Sequence, residues 1–97
     1  MNATGIDRLT EEIEDFLDSG RWTVDGNKVT TEIRNVERDG GHIRIFLYLP
    51  ASDNSATITK VELIDDRGYV IDEKSDVLDK EARKGKMVAF DYTIEEV

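Results

Sequence analysis

The chain has no cysteine, one proline and one histidine in 97 residues, and each scarcity removes an option. Without cysteine there is neither a disulfide nor a thiolate metal site, and no sign of the redox compartment. A single histidine, His42, leaves a catalytic triad or a conventional zinc site without its parts. Because it stands beside Gly40 and Gly41 at the head of an apolar stretch, it reads as structural. That glycine pair is not followed by lysine and a helix, so no phosphate-cradling loop is present. No run approaches the ~20 apolar residues of a membrane span, and MNATGIDRLTEE lacks the basic and apolar regions of a signal peptide. The expectation is a soluble protein made in the cytoplasm, with no membrane partner. Bases are also in deficit: 22 acids face 13 lysines and arginines, a formal net charge of -9. Such a field repels phosphates and disfavours direct nucleic-acid binding. The acid surplus reads as solubility or salt adaptation, or as imitation of a nucleic-acid backbone.

What is present is alternation. In HIRIFLYL, Ile43, Ile45, Leu47 and Leu49 alternate with Arg44, Phe46 and Tyr48. A period of two sends the first set to a core and the second outward. Phe46 and Tyr48 make the second face partly apolar, as in a central strand or one covered by something else. Pro50 cannot donate to a ladder and stops the strand, and Ala51 to Ser55 form a polar loop. Thr57 to Asp65 is a second strand, burying Val61 and Leu63. Asp65-Asp66-Arg67-Gly68 is turn chemistry, and Asx-type bonding explains the carboxylate pair better than calcium does, since the EF-hand spacing is missing. A short strand follows through Tyr69, Val70 and Ile71.

Upstream, Ile6, Leu9, Ile13, Phe16 and Leu17 recur at helical spacing and predict an amphipathic helix over Thr4 to Ser19. Thr4 is the expected cap, Asp7 completes a capping box, and Gly20 is the expected C′ residue. Trp22 and Val24 lead into Asp25-Gly26, a strong hairpin signal. The alternation then slips at Val36, predicting a bulge near Asn35. Trp22 reads as a core anchor. Asp72 to Lys86 is expected to be a loop or a short helical turn near Asp76 to Arg83, anchored by Val77, Leu78 and Ala82. Met87 to Ile94 is a last strand with Val88, Phe90, Tyr92 and Ile94 on one face. Together these give a single domain over residues 1–97. It is mainly β (α+β): a helical segment over 1–20, then over 21–97 a small antiparallel β-sandwich of six or seven short strands.

No constellation for catalysis, cofactor or metal binding emerges, so an enzyme is not expected. The candidate functional residues are apolar: Ile6, Leu9, Ile13, Phe16 and Leu17 on the helix, and Phe46 and Tyr48 on the strand, as a protein interface.

LPASDNSATITKVELIDDRGYVI resembles a segment of bacteriophage tail-fibre, tail-collar and baseplate-associated proteins. The matching positions are Pro50, Ala51 and Ser52, then Ile58, Thr59, Val61, Leu63 and Asp65, then Gly68, Val70 and Ile71. GNKVTTEI and KGKMVAFDYTI echo the strands before and after it. The family usually has glycine between the valine and the leucine, where this chain has Glu62, a difference that alters close packing. The resemblance implies a non-catalytic virion component, made in the host cytoplasm and located in the tail. It also implies assembly with other tail proteins and homotrimerisation. Two alternatives remain open: an acidic nucleic-acid mimic that inhibits a DNA-binding enzyme, and an immunoglobulin-like adhesive or glycan-binding module using Trp22, Tyr48 and Tyr69.

Overall fold

The computed structural model describes residues 3–94, with the side chains of residues 8, 9 and 11–94. Among the described residues the chain forms one helix and seven strands: α1 (Ala3–Phe16), β1 (Leu17–Val24), β2 (Asn27–Asp39), β3 (His42–Leu49), β4 (Ala56–Asp65), β5 (Val70–Lys74), β6 (Leu78–Lys80) and β7 (Lys86–Thr93). The strands form one antiparallel, curled sheet in the order β5, β4, β1, β2, β3, β7, with β6 also paired to β4. The proposed roles of Thr4, Ile6 and Asp7 fall outside the described side chains.

The helix is shorter than its apolar spacing predicts. Leu17 fits the helical stripe, yet it opens β1 opposite Asp65, and Ser19 pairs with both Glu32 and Ile64. Gly20 therefore is not a helix cap. It lies mid-strand, where a Cβ would stand 2.5 Å from Leu47 Cδ1, so any side chain there would have to displace Leu47 from its place across the core. The helical segment accordingly ends at Phe16 and not at residue 20.

The hairpin between β1 and β2 is as expected. Asp25 (φ 49°) and Gly26 (φ 83°) both adopt left-handed backbone, the I′ geometry that suits strand twist. The anticipated bulge appears as a register shift between Ile33 and Asn35. It sits next to a change of partner within the long β2: residues up to Glu32 pair with β1, while Ile33 and the residues from Asn35 onward pair with β3. This change of partner carries the sheet from one half of the molecule to the other.

The stretch from His42 to Ile71 does not pair with itself throughout. β4 and β5 are neighbours, but β3 pairs with β2 and β7, and β4 with β1, β5 and β6. Pro50 ends β3, and residues 50–55 carry the chain across to the other half. Leu78–Lys80 is a strand against Ala56–Ile58, where a helical turn was one expectation. Leu78 packs against the core, but Val77 is 69% exposed and Ala82 is also exposed.

The core joins Trp22, Ile43, Ile45, Leu47, Leu49, Ile58, Val61, Leu63, Val88 and Phe90. Each such side chain contributes roughly 1.5–3 kcal/mol by leaving water. Trp22 is fully buried, and its indole Nε1 donates to Thr31 Oγ1 at 2.9 Å. The curl draws the sheet's two outer strands together. Lys74 of β5 donates to the Ala89 carbonyl of β7 at 2.5 Å and lies 5.1 Å from the Phe90 ring centre, while Tyr92 donates to Asp72. Burial, then that hydrogen bond, raises the Tyr92 pKa above its ordinary value.

Candidate protein-docking face

The seven candidate interface residues divide by where alternation sends them. On the helix, Ile13 packs against the core from its half-buried position, and Leu17 does the same from the start of β1. Leu9 is half-buried, and Phe16 is 37% exposed; the side chain of Ile6 lies outside the described residues. Phe16 stands beside Tyr69, with its carbonyl accepting from Asp66 N at 2.9 Å. Ile13 and Leu17 thus belong mainly to the fold, which leaves Leu9 and Phe16 as the described part of the stripe available to a partner.

Phe46 and Tyr48 alternate with the buried isoleucines and leucines of β3, so they occupy the opposite, outer face. Pairing with β7 completes that face: Phe46 lies opposite Ala89 and Tyr48 opposite Met87. Met87 is 50% exposed. A solvated sheet face is usually polar; here four apolar or aromatic side chains meet on two adjacent strands. Spacing within β7 already placed Met87 and Ala89 away from its core face. Their proximity to Phe46 and Tyr48 follows only from the strand pairing.

Polar contacts border the patch. The Arg34 guanidinium lies 5.7 Å from the Tyr48 ring centre, a cation–π geometry. Gly85 lies so close to the Tyr48 hydroxyl and ring that a side chain there would collide. At the other end, Asp91 Oδ1 is 2.7 Å from Arg44 Nε and 2.9 Å from His42 Nε2. The hydrogen bond from Arg44, then that of His42, holds the Asp91 carboxyl below its ordinary pKa. His42 therefore has a local partner, and its cluster reads as surface electrostatics.

Two further acids are accounted for. Asp65 Oδ1 accepts from the N–H groups of Arg67 and Tyr69 at 2.9 and 2.8 Å, the Asx bonding expected of the turn. Glu62 is 5% exposed and faces Arg21 on β1, which donates from Nε and Nη2 at 3.0 Å each. Its side chain is thus accommodated by a fork-shaped ion pair between neighbouring strands. The Arg21 hydrogen bond lowers the Glu62 pKa. Among the described residues, no group of three or more histidines or acids could hold a metal ion. Comparison of the chain with protein-family models, with curated proteins and with solved structures gives no match.

Proposed function

We propose that this chain is a non-catalytic assembly module that binds a protein partner through the outer face of β3 and β7. The observation that carries this is the apolar patch of Phe46, Tyr48, Met87 and Ala89 on a face that alternation turns away from the core. Apolar side chains grouped at a surface favour contacts that remove them from water. In this reading the two halves of the curled sheet act as the layers of a small sandwich. The helix is an amphipathic second contact, offering Leu9 and Phe16.

The biological setting follows from the resemblance to phage tail-fibre, tail-collar and baseplate proteins: a structural component of the virion tail, assembling with other tail proteins and with copies of itself, trimers included. Co-expression with the products of the genes flanking its own, followed by solution mass measurement, tests the proposal. A stoichiometric complex with a tail component, or a trimer of the chain alone, is expected. Recovery as a lone monomer from every pairing at high concentration would contradict it.

A further inference from the structure

Lys80 ends β6, in a segment dense with charge, where a lysine would ordinarily extend into solvent. It is instead 3% exposed. Its Nζ lies within hydrogen-bond distance of three main-chain carbonyls: Asn54 at 3.2 Å, Glu81 at 3.3 Å and Lys84 at 3.2 Å. An ammonium has three N–H donors and no acceptor, so three carbonyls converging on one point use its full capacity. A water molecule has only two donors, and the planar fork of arginine cannot converge on a point. A buried charge normally requires a partner; here the negative ends of three carbonyl dipoles supply it.

We infer that the Lys80 ammonium is an internal cation whose carbonyl cage ties the β3–β4 crossover to the turn before β7, and that this cage is a latent site for a small ammonium ion. Asn54 belongs to the crossover, while Glu81 and Lys84 belong to the turn. A second tie runs parallel to the first, Arg83 N donating to Ser52 O at 2.7 Å, and within the turn itself Lys84 N donates to Glu81 O at 3.2 Å. Arg83 holds a left-handed backbone, φ 65°, which non-glycine residues adopt where surrounding contacts impose it. The same turn carries Gly85, packed against Tyr48. The cage therefore sets the conformation of two loops that pairing among strands leaves unconstrained.

The test begins with the native chain. Brief acylation followed by peptide mass mapping is expected to label Lys80 at least about tenfold more slowly than Lys60 or Lys84, because reaction requires local opening. Equal labelling of Lys80 and Lys84 would overturn the cage. Lys80→Met, which keeps the stem and removes the donors, and Lys80→Ala are both expected to lower the unfolding midpoint. Ammonium or methylammonium chloride should then raise the midpoint of Lys80→Ala, while tetramethylammonium chloride at equal ionic strength, which has no N–H, should not. Identical responses to the two classes of salt would overturn the latent site. Should Lys80→Ala fail to fold unaided, labelling of the native chain still decides whether the ammonium is caged, and the yield of folded Lys80→Ala on refolding in methylammonium against tetramethylammonium chloride decides the latent site, equal yields overturning it.

Discussion

Gly20 shows how one residue can hold two elements together. Its missing side chain makes room for Leu47 from the facing half of the sheet, and both lie in a close-packed interior with little room to relax. Gly20→Ala is expected to cost about 1–3 kcal/mol through overpacking. Combining it with Leu47→Val should cost less than the sum of the two changes, because they share one contact. Denaturant unfolding followed by the fluorescence of Trp22, the only tryptophan, measures both. At Glu62 the effect is electrostatic. Arg21 holds its pKa below the ordinary value, so the pair's stabilisation is present above the ordinary carboxylate pKa and is lost as pH falls through the depressed one. Glu62→Gln should therefore lose less stability than the native chain between roughly pH 5 and pH 3. A native-like acid profile in that variant would show the pair to be inert.

At the scale of elements, strands are legible in the sequence wherever one face is buried. The alternation in Ile43 to Leu49 and in Val88 to Tyr92 matches the observed burial because a period of two is imposed by the backbone itself. The β1–β2 hairpin and the bulge after Ile33 are legible for similar reasons, since they rest on local backbone preference and phase. Pairing is less legible. Nothing in Pro50 to Ser55 states that the chain crosses to the other half of the sheet instead of turning back. The end of α1 is ambiguous because Leu17 satisfies a helical stripe and a strand equally well. Lys80 could not be recognised as buried, since one of its carbonyl partners lies 26 residues away. The candidate face was half legible: Phe46 and Tyr48 stand out in β3, while Met87 and Ala89 join them only through the register of β7. The helix makes its described core contact through half-buried Ile13. Ile13→Ala should accordingly cost about 1 kcal/mol, below the 2–5 typical of a fully buried isoleucine.

For the molecule as a whole, the curl of the sheet brings its first and last strands in sheet order into side-chain contact. Lys74 and Asp72 of β5 meet Ala89, Phe90 and Tyr92 of β7. Charged side chains placed at strand edges discourage pairing with other chains, so these contacts close the molecule while limiting edge-to-edge association. The raised Tyr92 pKa gives the closure a pH signature. A group with a raised folded pKa contributes stability below its unfolded pKa and loses that contribution as pH rises. The native chain should weaken above about pH 10, the ordinary tyrosine value, and Tyr92→Phe should flatten that decline in thermal melts. Tyrosine absorbance should likewise show one phenol ionising above its ordinary range.

Assembly through the outer β3–β7 face is tested most directly by placing charges in it without touching the core. Tyr48→Glu with Met87→Glu, compared with the native chain in the complex recovered by co-expression, separates docking from folding. The expected result is loss of the partner or trimer from the variant by solution mass, at least about tenfold in affinity, with Trp22 emission unchanged. A variant that stays fully assembled would contradict the assignment of this face.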